Sequence, residues 1–387
     1  MMVSRLQALA SQGQAVWLDY LDRGFLAQGG LARLIEDDGL TGVTSNPSIF
    51  EKAIGQDSDY DEQIAELVGG GETSPAAIYE HLAVTDIQAA ADALRPVYDR
   101  LGGADGFASI EVSPSLARST QGTIDEARRL WRAVDRPNLM VKVPGTREGV
   151  PAVRALAAEG INVNITLLFA IDMYELVAGA FLAGLEERLT SGRDISRVAS
   201  VASFFVSRVD TAIDAKIDAR IAADEAETRA LAELRGSVAI ANAKLAYQSY
   251  LGLIASDRWR SLAQQGARPQ RLLWASTGTK DPAFSDVYYV ETLIGRDTVN
   301  TMPPKTIDAF RDHGVVAPTL TANLAGERHV LAEADRLGLD LKDVTASLVA
   351  EGVEKFSNAA DALLRTIDKT RAKLATSSHN TSATTAK

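Results

Sequence analysis

The chain predicts a single (β/α)8 TIM barrel with extra helices, on three observations. Short β-branched or apolar runs alternate with amphipathic stretches along its length. Eight such runs occur, which is the strand number of that fold. No G-x-G-x-x-G follows any of them, so the runner-up, a doubly wound sheet, lacks its signature. A length of 387 residues fits one barrel or two domains. The unbroken alternation favours one domain over 1–374.

The first strand is expected at 16–21 and the second at 42–46, each closing on polar residues after an apolar run. An acidic, glycine-containing stretch at 51–75 is expected to decorate the top of this second unit. A helix at 78–101 has apolar residues at helical spacing and leads to the third strand, 107–112. A helix at 123–134 precedes the fourth strand, 139–144. Thr146 then marks a helix start, and helical periodicity runs over 148–158. The fifth strand is 161–166, its helix 170–189, and the sixth strand 198–206. Helical patterns at 207–234 and 238–264 lead to the seventh strand at 271–276. Asp281-Pro282 signals a helix start before the eighth strand, 298–302. Three further helices, 304–313, 324–337 and 341–373, are expected to pack on the outside or base of the barrel. The Ser/Thr-rich, apolar-poor segment 375–387 is expected to be disordered.

Composition narrows the function. The hydrophobic fraction is 46% and the charged fraction 24%, as in a soluble globular enzyme. A net charge of -11 argues against nucleic acid or an anionic membrane surface as the main partner. Such a chain must gather its useful cations locally to bind a phosphorylated substrate. The absence of cysteine excludes disulfides, thiolate metal sites and cysteine nucleophiles. The four histidines, His81, His313, His329 and His379, share no metal-ligand spacing, so neither a metal site nor a Ser-His-Asp triad is expected. No signal-peptide core and no membrane-length apolar run occur, which predicts a cytoplasmic protein.

Strand alternation places the polar residues. In a barrel strand one set of side chains faces the helices and the other fills the interior. With Leu139, Val141 and Val143 facing the helices, Lys142 points inward. The same rule turns Glu111, Asn162, Asn164, Thr166, Asp19, Thr44 and Asn46 inward, and Ser203 and Phe205 share the parity of Val201. All lie at or near the C-terminal ends of their strands, the catalytic face of this fold. Any one of them could be a buried polar group paired for structural reasons. Six strands doing so at one end converge on a site.

Lys142 is the most informative of these residues. A lysine at a strand end can snorkel to solvent or pair with a carboxylate. Burial, however, disfavours the ammonium and makes the amine a usable nucleophile, which condenses with a carbonyl to a Schiff base. An amine, two carboxylates and several amides without a metal set suit imine chemistry on a sugar ketone. Arg208 after the sixth strand and Lys280 after the seventh fall where this fold binds phosphate.

Four blocks, Thr41-Gly-Val-Thr-Ser-Asn-Pro-Ser48, Met140-Val-Lys-Val-Pro144, 160–169 and 203–210, resemble those of the transaldolases, in order and on the expected strands. The segments 274–280 and 297–304 resemble the longer bacterial branch. The resemblance implies that Lys142 forms the Schiff base, Glu111 acts as acid/base through water, and Asp19 is the base for bond cleavage. It further implies that Asn46, Asn164 and Thr166 position the dihydroxyacetone unit and the water, and that Ser203 and Arg208 take the phosphate, beside Phe205. Many members carry an arginine after the seventh strand; here Ser276 and Lys280 stand in that loop and inherit the role. The implied substrates are sugar phosphates, with no cofactor. Two alternatives stay open: a related lyase that releases free dihydroxyacetone, and a sugar-phosphate sensor on the same scaffold.

Overall fold

In a computed structural model, which describes residues 4–56, 58–223 and 227–384, eight parallel strands close into one barrel in sequence order. They are β1 (Gln14–Leu18), β2 (Gly42–Thr44), β3 (Phe107–Glu111), β4 (Leu139–Pro144), β5 (Val163–Leu168), β6 (Ser200–Phe205), β7 (Arg271–Ala275) and β8 (Thr298–Met302). Closure comes from β8 pairing with β1, Gln14 opposite Thr298 and Leu18 opposite Met302. Each expected strand is present, with ends displaced by a few residues. Asp19 lies just past β1, although its amide still donates to the Met302 carbonyl at 2.8 Å.

Outward-facing strand residues such as Val141, Val143, Ile165 and Phe204 are fully buried against the surrounding helices. The inward positions at the N-terminal end are plugged. The Trp17 indole donates to Asp105 Oδ1 at 2.9 Å, and Arg271 pairs with the other oxygen of Asp105 at 3.0 Å. Gly42 makes room for that indole, since a Cβ there would lie 2.4 Å from its ring. Asn162 belongs to this structural end too. It donates to the Leu139 carbonyl and accepts from the Ala199 amide, tying β4 to the chain before β6.

The helical stretches behave largely as their periodicity dictates. Ser74 caps Pro75–Arg100 and Ser119 caps Thr120–Val134, while Thr146 Oγ1 accepts from the Gly149 amide ahead of Gly149–Glu159. The expected helix over 238–264 breaks into Val238–Ile254 and Asp257–Gln264, because Ser256 caps a new start. The segment after Asp281 holds only the single turn Tyr288–Glu291. Asp281 Oδ1 accepts from the Ala283 amide, so the signal there is a local turn and not the start of a longer helix.

One placement departs from expectation. The helix Leu341–Thr384 does not lie on the outside or base. It packs on Pro47–Gln56, Asp61–Gly69, Pro75–Arg100 and Ser207–Ala222, and so crosses the mouth formed by the strands' C-terminal ends. Its buried residues Val344, Leu348, Phe356, Leu363 and Ile367 make one stripe, which covers that mouth. The backbone is helical to Thr384, within the 375–387 segment expected to be disordered, of which 385–387 lie outside the described residues. The two helices before it do pack peripherally. Leu324–Arg336 lies on Val238–Ile254, joined by the buried pair Lys244–Glu327 at 2.7 Å.

Candidate active site

A pocket at the barrel mouth is lined by Asp19, Thr44, Asn46, Lys142, Thr166, Ser203, Phe205, Arg208, Ser276, Thr301 and Phe356. The strand register explains why the amine and carboxylate meet. Glu111 lies opposite Lys142 and Lys142 opposite Asn164, so β3, β4 and β5 present acid, amine and amide in one row. The Lys142 ammonium donates to Glu111 Oε2 at 3.0 Å and to the Ser45 carbonyl at 2.9 Å. Both side chains are nearly sealed, at 6% and 5% exposed. Desolvation pushes the Glu111 carboxyl above its ordinary range, opposed by the nearby Lys142 charge.

Asp19 faces the same space from the first strand's end. Its Oδ1 accepts from Thr44 Oγ1 at 2.9 Å, and Thr44 in turn lies 2.9 Å from Thr301 Oγ1. Thr44 has one hydroxyl proton; with that proton on Asp19, Thr301 must donate to Thr44. Burial raises the Asp19 carboxyl as well, with Lys142 as the chief opposing charge. Thr301 shares the inward parity of Val299, so alternation along 298–302 could have found it.

The amides divide into two depths. Asn46 lines the pocket, and its Oδ1 accepts from the Ile49 amide, which ties it to the start of Pro47–Gln56. Asn164 lies deeper and is fully buried, donating to Ser109 Oγ at 3.2 Å and accepting from Ser203 Oγ at 2.7 Å. Ser203 therefore spends its hydroxyl proton on Asn164, away from Arg208. Thr166 lines the pocket with a buried hydroxyl that has no partner among the described residues, the kind of group that binds a ligand or water.

Arg208, the second residue of Ser207–Ala222, occupies the rim. Its guanidinium sits 4.9 Å from the Phe205 ring and 5.8 Å from the Phe356 ring, a clamp that fixes the fork. Ser276 is in the left-handed region at φ 58, and its hydroxyl lies 2.9 Å from that of Ser207. Lys280 is outside the pocket lining but within electrostatic reach of Arg208. Ten of the eleven anticipated site residues thus gather at one mouth or directly beneath it, with Lys280 at its edge. Phe356 was missed, because nothing in its local sequence tells which groove its helix covers.

A barrel whose strands bring a sealed amine against one carboxylate, with a second in the same mouth at their C-terminal ends, has the equipment of the lysine-imine aldol enzymes. The transaldolase/fructose-6-phosphate aldolase family matches residues 16–367, and the chain belongs to that family. It is 50% identical to a transaldolase of Parafrankia sp. (strain EAN1pec), over 94% of this chain and 96% of that one. It is 47% identical to transaldolase 2 of Nostoc sp., over 95% and 98%. With transaldolase 2 of Streptomyces coelicolor the identity is 46%, over 97% and 100%. Among the described residues no helix is long and apolar enough to cross a membrane.

Proposed function

We infer that the protein is a transaldolase that moves a dihydroxyacetone unit from sedoheptulose 7-phosphate to glyceraldehyde 3-phosphate, giving erythrose 4-phosphate and fructose 6-phosphate. On this reading it acts in the non-oxidative pentose phosphate pathway, in the cytoplasm. The observation that carries the reading is the 3.0 Å contact between Lys142 Nζ and Glu111 Oε2, with Asp19 in the same mouth. Glu111, its carboxyl raised by burial, takes a proton from the Lys142 ammonium along that contact, and the free amine attacks the ketone. Dehydration of the carbinolamine to the imine returns a proton through Glu111, with a water held by Thr166.

Asp19 then accepts the proton of the C4 hydroxyl as the C3–C4 bond breaks, and the electron pair moves into the enamine on Lys142. The aldose phosphate departs, and the enamine adds to the incoming aldehyde by the reverse steps. Asn46 holds the hydroxyls of the three-carbon unit. The hydrogen bond from Ser203 to Asn164 favours a role for this serine in the floor of the site, orienting that amide, over the phosphate contact expected of it. Arg208, clamped between two aromatic rings, takes the phosphate, with Ser276 and Lys280 in the same loop cluster.

Borohydride reduction in the presence of fructose 6-phosphate, followed by peptide mapping, tests this directly. A three-carbon adduct on the Lys142 peptide is expected, whereas label on Lys280 or Lys305 would refute the assignment. Product analysis without an acceptor separates transfer from the lyase reaction, which would release free dihydroxyacetone at every turnover.

A further inference from the structure

Arg208 lines the mouth, and three further cations lie within electrostatic reach of it or of one another: Lys280 in the loop after β7, Lys355 on the C-terminal helix, and Lys52 on Pro47–Gln56. Among the described residues none of them makes an ion pair, while Lys142, Arg23 and Arg235 do. The chain carries 51 acidic residues against 40 Lys and Arg, so carboxylates to neutralise the four are plentiful. The cations instead repel one another. Loss of solvent lowers the Lys280 ammonium below its ordinary range, and Arg208 and Lys355 lower it further. The same desolvation acts on Lys355, followed by Arg208 and Lys52. Like charges held together cost free energy unless an anion offsets them.

The C-terminal helix is fitted to this cluster. At Gly352 a Cβ would lie 2.7 Å from Leu167 Cδ2 and 3.7 Å from Arg208 Nη1, so the missing side chain lets the helix descend onto the guanidinium. Leu167 itself stands at φ 60 where the β5–β6 register shifts, which aims it at that glycine. One turn later Phe356 packs on Arg208 and lines the pocket. Lys355 precedes it on the same turn, exposed at the edge of the face that Gly352 and Phe356 turn to Arg208. Of the carboxylates that act on Arg208, Asp19 and Glu111 belong to the reacting end, and Glu351 makes no ion pair with the cluster among the described residues.

We propose that Lys355 is a phosphate-binding residue, joining Arg208 and Lys280 around the substrate's phosphate dianion, and that the C-terminal helix thereby sets specificity for phosphorylated over free sugars. The proposal rests on the transaldolase reading above. It adds a cation from outside the barrel to the two supplied by the segments after β6 and β7.

The test compares Lys355→Ala, Lys355→Arg and wild type with a ketose phosphate, with the same ketose unphosphorylated, and with inorganic phosphate alone. Circular dichroism and the melting temperature check folding, and Lys355→Gln serves if the alanine variant fails to fold. Losing one charge-assisted contact at a partly exposed site is expected to cost about tenfold in KM for the ketose phosphate. Inorganic phosphate should bind more weakly by a similar factor, kcat should fall by less than about threefold, and Lys355→Arg should recover most of the loss. The effect should shrink as ionic strength rises. An equal loss on the unphosphorylated ketose, or unchanged phosphate binding, would overturn the proposal. Wild type that forms no imine would instead remove the transaldolase reading, a distinct result, because phosphate binding is measured without turnover.

Discussion

Asp19→Asn should separate imine formation from carbon–carbon cleavage. The Asp19 carboxylate makes no contact with the Lys142 ammonium, whose hydrogen bonds go to Glu111 at 3.0 Å and Ser45 at 2.9 Å. Asparagine has the same shape and can keep accepting from Thr44 Oγ1 through its Oδ1, a 2.9 Å contact in the native chain. The substitution therefore removes a base and leaves the amine and its proton acceptor in place. Removing a positioned general base costs about 10²–10⁴-fold, which is about 2.7–5.4 kcal/mol on the cleavage barrier. Imine formation should change by no more than a few-fold.

Borohydride quenching at short times reads this out by mass. Asp19→Asn should accumulate the six-carbon fructose 6-phosphate adduct on Lys142, where wild type accumulates the three-carbon adduct. The wild-type pH profile provides an independent check. Cleavage needs Asp19 ionised, and burial raises its carboxyl, so the rate should fall with decreasing pH along a limb lying above the ordinary aspartate range. A three-carbon adduct forming on Asp19→Asn at the wild-type rate would show that another group takes the hydroxyl proton.

Arg208→Ala removes a bidentate cation remote from the reacting bond, so KM for fructose 6-phosphate should rise by the equivalent of about 2–3 kcal/mol of binding while kcat falls less; unchanged KM would take Arg208 out of the phosphate site. Phe356→Ala deletes a buried ring, 4% exposed, from both the helix packing and the Arg208 clamp. It should destabilise by about 3 kcal/mol in thermal unfolding and raise the same KM; a lowered melting temperature with native KM would leave Phe356 a purely structural role. Asp210 is buried, accepts from the Ala239 amide at 2.7 Å and the Tyr289 hydroxyl at 3.0 Å, and is raised to about 7, chiefly by desolvation. Its folded pKa exceeds the unfolded value, so its stabilising contribution is full below the ordinary aspartate range and is lost as pH rises through about 7. Asp210→Asn should flatten the fall in unfolding free energy between about pH 5 and 7, where one proton accounts for at most about 1.4 kcal/mol per pH unit; an unchanged slope would assign the titration elsewhere.

Alternation along the strands was enough to locate most of the site, because a barrel interior has only two side-chain directions and the apolar set occupies one of them. Lys142 between Val141 and Val143 could point only inward, and the parity of Glu111, Thr166 and Asn46 follows in the same way. The element count fixed the fold class for a similar reason: parallel neighbours need crossovers, and the helical stretches supply them.

What only the tertiary structure decided lies at longer range. A stripe of Val344, Leu348, Phe356 and Leu363 announces an apolar helix face but carries no information about which groove accepts it. That groove proved to be the barrel mouth, which is why Phe356 packs on Arg208 from more than a hundred residues away, with Lys355 in electrostatic reach beside it. The direction of the Ser203 hydroxyl was equally out of reach. Parity fixes the face a side chain points to, but the choice between Asn164 below and Arg208 above depends on the distances the folded chain leaves between them. Sequence periodicity is a local property of one element, whereas these contacts are made between elements, and only packing sets their separation.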